Sequence, residues 1–424
     1  MTINPEFIDL EPTPNESDDD GDQTQTRGRG RPPLTADRQI QERTDDVNIL
    51  KECLPDLRLN QLTGKMEYGP RTSPTVMEGD DIDTMSVRLA LEHDKFVPEQ
   101  RVRAAIRYIA KHNGYCPIRR YLMDCAYSAK PFEDWDRLGE ILLGNSTELA
   151  TRTLQKFLIG AVARAYNPGC SMSWIPIFIG AQGCGKSQLL RELVPEELFA
   201  EISVSMDLLS KEIYRLHVSY LVELPEVDNY FSVKNIENFK NLITTRVDET
   251  RYPYQSLPVS LARRFVMAGT SNRSEFLVDS TGNRRFMPLE IGDGFETPWR
   301  TLHEFRDQLW KKAILEYEAG TQWEITSGEV AQLADYIQQF SVSDPWETIV
   351  EEFLGTKDEV SANDILIGAL GFSPQAVGVR ESKRVGSIMS ALGWRRMVTT
   401  RKGKSIRLWK RKTPLKKKTR LDDF

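Results

Sequence analysis

The stretch Gly180-Ala-Gln-Gly-Cys-Gly-Lys-Ser187 fits the pattern G-x-x-x-x-G-K-[S/T] at every fixed position. An apolar run, Ile175–Ile179, precedes it, and a helix-favouring segment, residues 188–193, follows it. Glycines here let backbone N–H groups close around phosphate oxygens, and the following helix N-terminus adds a favourable field. The pattern therefore predicts a strand, a phosphate-binding loop and a helix. The alternative is a glycine-rich turn that binds nothing.

This glycine loop, residues 180–187, predicts the cofactors ATP and Mg²⁺. Lys186 is expected to reach the β- and γ-phosphates, and Ser187 is expected to hold Mg²⁺. The residues predicted to bind the cofactor are Gly180, Gln182, Gly183, Cys184, Gly185, Lys186, Ser187 and Gln188.

Two acids follow the next apolar run, in the sequence Tyr220-Leu-Val-Glu223-Leu-Pro-Glu226. Nucleotide hydrolysis needs one acid in the Mg²⁺ shell and one group that orients the attacking water. We expect Glu223, where the strand ends, in the metal shell and Glu226 at the water, although the two roles could be exchanged. The alternative is a solvated strand end with ordinary acids.

Residues on the later apolar runs are further candidates for catalysis. Asn272 follows the apolar run 265–268 and is predicted to sense the γ-phosphate, with Thr270 as second choice; the alternative is a hydrogen-bonded turn. Arg284 and Arg285 precede another apolar run, 286–291. Either arginine could supply charge to the transition state of a neighbouring subunit's ATP. Equally, they could pair with acids such as Asp279.

Composition favours a reduced, cytoplasmic protein with no membrane partner. Hydrophobic residues make up 40% and charged residues 28% of the 424 residues, which is ordinary for a soluble chain. No signal sequence, membrane-length apolar run or C-x-x-C pair is present. The net charge of −6 averages two opposed ends, because residues 1–24 hold eight carboxylates whereas residues 401–420 hold eleven Lys or Arg.

Composition and periodicity divide the chain into six segments. Their boundaries are 1–45 for a disordered acidic tail, 46–167 for a helical N-terminal domain, 168–293 for an α/β core, 294–345 for a helical connector or lid, 346–411 for a small domain, and 412–424 for a basic tail. The core's continuous apolar runs are typical of buried parallel strands. They lie at 174–179, 218–222, 265–268 and 286–291.

Two segments predict contacts with duplex DNA. The small domain shows two helical patterns, 361–370 and 381–393, then two strands around a turn at Gly403, which is a winged-helix order. Such a domain also serves as a protein–protein module. The residues predicted to face DNA there are Lys383, Arg384, Arg395 and Arg396. Separately, Arg29-Gly-Arg31-Pro32 resembles an AT-hook core that enters a narrow minor groove, although so short a pattern arises by chance.

Several phrases, in this order and spacing, resemble the virulence-associated protein E family. The resemblance runs from about residue 106 to 291 and more weakly to 410. The phrases are NGYCP at 113–117, YL at 121–122, NPGC at 167–170, VELPE at 222–226, FK at 239–240, DETRYPY at 248–254, GTSNR at 269–273 and TGNRRF at 281–286, together with the glycine loop.

The resemblance implies an α/β P-loop NTPase core of the AAA+ or superfamily 3 type, with an N-terminal helical domain and a C-terminal winged-helix-like domain. It further implies a homo-hexameric ring that moves on DNA during replication of a phage or mobile element in a bacterial host. No primase domain is visible, so a required primase would be a separate protein. Pro225 replaces the family's usual Ala, which could shift Glu226.

The resemblance also places a pore hairpin near residues 245–264. Arginine and aromatic side chains suit a single strand, because the former meets phosphates and the latter stacks on bases. Lys240, Arg251 and Tyr254 are therefore predicted to contact single-stranded DNA. The alternative is a packed hairpin whose tyrosines belong to the core.

An ATP-dependent DNA helicase is the leading functional hypothesis. The alternative is a DNA-binding initiator or regulator that uses ATP only as an assembly switch. A small-molecule kinase would need a lid and an acceptor pocket, whereas this chain ends in a DNA-binding-like domain.

Overall fold

The computed structural model describes residues 36–71, 73–231, 235–251, 258–277, 283–340, 344–401 and 404–411. The α-helices are α1 (Ala36–Cys53), α2 (Gly79–His93), α3 (Glu99–His112), α4 (Pro117–Ser128), α5 (Leu138–Leu143), α6 (Glu148–Tyr166), α7 (Lys186–Glu192), α8 (Met206–Lys211), α9 (Ile236–Thr244), α10 (Arg306–Glu318), α11 (Ser327–Gln338), α12 (Glu347–Leu354), α13 (Ala362–Gly368) and α14 (Val379–Ala391). The strands are β1 (Arg58–Leu59), β2 (Met66–Tyr68), β3 (Thr75–Val76), β4 (Ile175–Ile179), β5 (Phe199–Glu201), β6 (Leu221–Leu224), β7 (Val247–Thr250), β8 (Val259–Ala262), β9 (Val266–Ser271), β10 (Phe286–Glu290), β11 (Glu359–Val360), β12 (Trp394–Arg401) and β13 (Lys404–Arg411). No helix in these ranges is long and apolar enough to cross a bilayer.

One compact unit comprises described residues 36–55 and 78–108. It contains α1, which begins at Ala36, inside the segment predicted to be disordered up to residue 45. The helix is ordered by tertiary contacts: Asp46 is 2% exposed and accepts a 2.9 Å hydrogen bond from Nε of Arg101. Because that partner lies 55 residues away, local composition gave no sign of it.

The second unit comprises residues 56–77 and everything described from 109 onward. Its centre is a parallel sheet in the order β10-β4-β9-β6-β5. All five residues of β4 are buried, which confirms the predicted parallel α/β core. The strand expected at 218–222 begins later than predicted. Residues 213–218 form a 3₁₀ turn, and β6 begins at Leu221. The three-residue β5 was missed, since so short a strand leaves no pattern.

Helix α6 belongs to this core rather than to a separate N-terminal domain. It packs against β4, β10, α5 and α10, and its side chains are buried from Leu158 to Ala165. The predicted boundary at residue 167 therefore follows the end of a helix and not the end of a packing unit. Helix α7, after the glycine loop, packs against β6 and β9.

A buried ion pair anchors the antiparallel hairpin β7–β8. Arg263 is 1% exposed and donates to both oxygens of Asp248, at 2.6 and 2.7 Å, while Nε2 of His217 lies 2.9 Å from the same carboxylate. Burial acts to raise the pKa of Asp248, but the hydrogen bonds from Arg263 and His217 lower it to about 2. Arg263 also donates to the Leu242 carbonyl. The hairpin is therefore fixed to its own domain by charge.

The C-terminal part of the chain has its own hydrophobic core, formed by residues such as Val350, Leu366, Val385 and Trp394. Its elements follow the order α12, β11, α13, α14, β12, β13, and its antiparallel sheet has the order β11-β13-β12. The two helices and two strands predicted here are α13, α14, β12 and β13. Both α12 and β11 were missed. Ser361 caps α13, accepting a 3.1 Å bond from the Asp364 amide.

We expect Arg263→Ala to lower the free energy of unfolding by about 3–5 kcal/mol, because it leaves the Asp248 carboxylate buried without its main partner. Urea denaturation at neutral pH measures the change. The double variant Arg263→Met with Asp248→Asn should recover part of the loss, since no buried charge then remains. A loss below about 1 kcal/mol for Arg263→Ala would contradict this role for the pair.

Candidate functional site

Strand order brings the predicted catalytic segments to one edge of the sheet. Strand β9 lies between β4 and β6, and carboxyl ends of parallel strands share an edge, where open α/β sheets bind ligands. A cleft of about 280 Å³ opens there. Its lining residues are Gln182, Gly183, Gly185, Lys186, Ser187, Gln188, Pro225, Glu226, Thr270, Ser271 and Asn272. Of the predicted cofactor-binding residues, Gly180 and Cys184 do not line it.

The ammonium group of Lys186 is held over the loop by neutral acceptors. Its Nζ donates to the carbonyls of Gly180 and Ala181, both at 2.8 Å, and to Oδ1 of Asn272 at 2.9 Å. Lys186 is 8% exposed, and it has no carboxylate partner among the described residues. Its charge is therefore oriented without being neutralised, which suits an anionic ligand.

Glycines shape the loop. Gly183 and Gly185 have φ of 85° and 91°, in the left-handed region that favours glycine. A Cβ at Gly185 would lie 2.4 Å from Oγ1 of Thr297, whereas a Cβ at Gly183 would meet nothing within 4 Å. Thr297 also donates from Oγ1 to the Gly185 carbonyl at 3.0 Å. The sequence gave no signal for Thr297, which reaches the loop from beyond β10.

The carboxylate of Glu223 lies beneath the cleft and is fully buried. Its Oε1 accepts from Oγ of Ser187 at 2.6 Å and from Oγ1 of Thr270 at 2.8 Å, while its Oε2 is buried without a hydrogen-bond partner. Burial raises the pKa of Glu223 despite these two hydrogen bonds. A hydroxyl beside a carboxylate oxygen that lacks a partner matches the hard-oxygen ligands of Mg²⁺. The residues present therefore fit a bound Mg²⁺–nucleotide.

Glu226 occupies a different environment at the lip of the cleft. It is exposed, with φ of 46°, and its Oε2 accepts a 3.3 Å bond from Asn229. A third acid, Asp228, was missed in the sequence. Its Oδ1 accepts from Oγ of Ser271 at 3.2 Å, and its Oδ2 lies 3.4 Å from Nε of Arg273. The acids three and five residues after Glu223 were the available signal.

Arg284 and Arg285 form the 3₁₀ turn before β10 and do not line the cleft. Arg284 is exposed, and Arg285 is half-buried with an Nε that has no hydrogen-bond partner. Their suggested partner Asp279 lies outside the described residues.

Two of the residues predicted to contact DNA are paired with acids of this chain. Lys240 is 5% exposed on α9, with Nζ 3.1 Å from Oε1 of Glu237, because its helix turns that side toward the core. Arg384 makes two 2.8 Å bonds to Asp344 and lies 3.7 Å from the ring centroid of Trp346. Each of these two cations therefore has an acidic partner within the chain.

Other predicted DNA contacts remain accessible. Arg251 is exposed at the end of β7, Lys383 is exposed on α14, and Arg395 and Arg396 are exposed on β12. As neighbours in a strand, the last two point to opposite faces of the sheet. Tyr254, Arg29 and Arg31 lie outside the described residues.

Fold and site together define a mixed α/β protein whose parallel five-stranded sheet is consistent with a nucleotide-binding core. The sequence model of the virulence-associated protein E-like domain matches residues 128–342, just over half of the chain. The chain therefore belongs to the virulence-associated protein E-like family, which confirms the resemblance. The match excludes the phrases at 113–122 and stops well before residue 410. No curated protein matches the chain.

Solved structures of the NrS-1 C-terminal region resemble this fold. An apo structure aligns with a TM-score of 0.51 and 14% identity, covering 86% of this chain and 98% of that one. An A-form apo structure of the same region aligns with a TM-score of 0.48 and 14% identity. This alignment covers 86% of this chain and 98% of that one. At this identity, the first alignment shows a shared fold alone.

We expect Glu223→Gln to be as stable as the wild type or more stable at about pH 8, because it removes a buried ionisable carboxyl. A carboxyl whose pKa is higher in the folded state than in the unfolded state lowers the free energy of unfolding once the pH rises above the unfolded-state pKa. The advantage of the variant should therefore shrink as the pH falls toward 4.5, the ordinary pKa. Denaturation across this range measures it. The exposed Glu226→Gln is the control, and a Glu223→Gln deficit independent of pH would refute the argument.

Proposed function

We propose that this protein is an ATP-dependent DNA helicase or translocase of the superfamily 3 type, acting in replication of a phage or mobile element. The observation that carries the proposal is the contact of Ser187 with Glu223, 2.6 Å apart, beside the 2.9 Å contact of Lys186 with Asn272. Lys186 and Ser187 begin α7, Glu223 lies on β6 and Asn272 follows β9, so three segments meet at the cleft. The family membership supports the same reading.

Bound Mg²⁺–ATP would supply the phosphoryl group and a divalent charge. On the protein side, Ser187 and Glu223 would hold the metal, which would give the buried Oε2 of Glu223 the partner that it lacks. Lys186 would exchange its carbonyl partners for phosphate oxygens. Asn272, already in contact with Lys186, would sense the same phosphate.

Glu226 is proposed to orient the attacking water. It lines the cleft and is exposed, whereas Glu223 is fully buried beneath it. A residue on the open side can approach a water molecule, and a residue on the closed side can act only through the metal. This difference in exposure supports the assignment of roles over its reverse.

Arg284 and Arg285 are proposed to act on the nucleotide of an adjoining protomer in a homo-hexameric ring. Neither lines the cleft of its own chain, and Arg284 projects into solvent. A charge supplied from a neighbour would couple hydrolysis to assembly.

DNA is the proposed partner of both the β7–β8 hairpin and the C-terminal part. In the latter, the order helix, strand, helix, helix, strand, strand supports a winged-helix-like domain. Lys383, Arg395 and Arg396 would meet duplex phosphates, whereas Arg384 would hold the domain together through Asp344. Arg251, exposed beside the hairpin, would meet a single strand.

We expect Lys186→Ala to abolish DNA-stimulated ATP hydrolysis, and Asn272→Ala to slow it about 100-fold, because each removes a preorganised contact to developing charge. Nucleotide binding by Asn272→Ala should change far less than turnover. Phosphate release with and without single-stranded DNA measures both, and strand displacement is followed in parallel. Surface variant Lys65→Ala is the control.

One outcome is that the wild type hydrolyses ATP through Lys186 and still displaces no strand. That result would favour the alternative, an ATP-switched initiator or regulator. Hydrolysis that survives in Lys186→Ala would overturn the catalytic proposal itself.

We expect the double variant Arg395→Ala with Arg396→Ala to weaken duplex DNA binding and to reduce the slope of log affinity against log salt by about 1–2, since each phosphate contact contributes roughly one counterion. Anisotropy titrations at several salt concentrations measure it. Arg384→Ala is the matched comparison, because it should lower the stability of the domain without changing the salt slope. Equal slopes for wild type and double variant would contradict this contact.

A further inference from the structure

A second basic pocket lies away from the cleft, in the part of the chain that precedes the family match. It has a volume of about 310 Å³. Its lining residues are Asp56, Arg58, Arg71, Asn113, Gly114, Tyr115 and Arg120. Three arginines thus face one carboxylate, so the lining is net positive.

The phrase at 113–117, singled out in the sequence, builds one wall of this pocket. Two backbone hydrogen bonds join Tyr115 to the end of β1 and the residues after it. The Tyr115 N–H donates to the Leu59 carbonyl at 3.0 Å, and the Gln61 N–H donates to the Tyr115 carbonyl at 2.9 Å. Gly114 passes so close that an added Cβ would lie 3.0 Å from Nε2 of Gln61. Residues 113–117 therefore place Asn113 and Tyr115 beside Arg58 of β1.

Arg58 is 4% exposed and incompletely bonded. Its Nη1 donates to the carbonyls of Asp56 and Gly69, at 3.0 and 2.9 Å. Its Nε and Nη2 are buried without a hydrogen-bond partner, because Oε2 of Glu67 is 3.6 Å away, too far for a hydrogen bond. Leaving two donors of a buried guanidinium unsatisfied is costly, so an acceptor that reached them would be stabilised.

The one buried acid nearby is already shared. Glu67 accepts from Nδ2 of Asn60 at 2.9 Å and from the Tyr115 hydroxyl at 2.8 Å. The Tyr115 ring lies between two cations, with its centroid 5.7 Å from Cζ of Arg58 and 5.9 Å from Cζ of Arg120. Within the described part of the chain, Arg71 and Arg120 make no ion pair. Arg58 lies within ion-pair distance of Glu67, so the positive charge left without an acidic partner in the described residues is that of Arg71 and Arg120.

We propose that this pocket binds a phosphate group, carried either by a free nucleotide or by a nucleic-acid strand. Guanidinium groups match phosphate oxygens in geometry as well as charge, and the excess of arginines favours a dianion or a phosphodiester backbone over a single carboxylate. The site is distinct from the glycine loop and needs no hydrolysis.

The test uses the full chain in a Lys186→Ala background, which weakens phosphate binding at the glycine loop and separates this site from the proposed catalytic function. Arg71→Ala with Arg120→Ala removes the two less buried cations and spares Arg58, on which the fold depends. Lys65→Ala is the matched control, an exposed cation between β1 and β2 that does not line the pocket. Circular dichroism checks that each variant is folded.

Inorganic phosphate is titrated by calorimetry, and a labelled single-stranded oligonucleotide by anisotropy. We expect the double variant to weaken binding of at least one probe by about tenfold or more, and Lys65→Ala to change neither by more than about twofold. Loss with the oligonucleotide alone identifies a nucleic-acid strand as the source, and loss with inorganic phosphate identifies a free phosphate group. Unchanged binding of both probes, or an equal loss in Lys65→Ala, would overturn the proposal.

Discussion

The buried carboxylate of Glu223 is the constraint on which the site depends. It is fully enclosed at the end of β6 and is held by hydroxyls from the glycine loop and from β9. Burial of an acid is unfavourable unless the charge gains ligands or protons. The elements that carry Glu223, Ser187 and Thr270, which are β6, α7 and β9, must therefore keep their relative positions. The packing of α7 against β6 and β9 maintains them.

The basic side chains of the structure are of two kinds, those paired with an acid and those without an acidic partner. Some are consumed within the fold: Arg263 fixes the hairpin through Asp248, and Arg384 joins Asp344 across forty residues of sequence. Others keep unneutralised charge, as Lys186 does over the cleft and Arg120 does over its pocket. Only the second kind can bind an anion without first breaking an ion pair, so the proposals rest on that kind.

The glycine loop and the parallel strands were within reach of the sequence, because each follows from a local pattern. Thr297, Asp228 and the Arg58 pocket were not. Thr297 meets the loop from 112 residues away, and Arg58 meets Tyr115 through a sheet too small to show a period. The pairing of Lys240 with Glu237 and of Arg384 with Asp344 was also not visible in the sequence, because a basic residue looks the same whether or not an acid lies beside it.

The sequence by itself determined that a glycine loop follows a buried strand, that acids and an amide end the neighbouring strands, and that the chain belongs with the virulence-associated protein E-like proteins. Those features depend on side-chain size and hydrogen-bonding capacity over a few residues. Tertiary structure alone decided which carboxylate is buried, which arginines are neutralised and where a second basic pocket opens. Burial and pairing are properties of distant segments brought together, so no local window of sequence contains them.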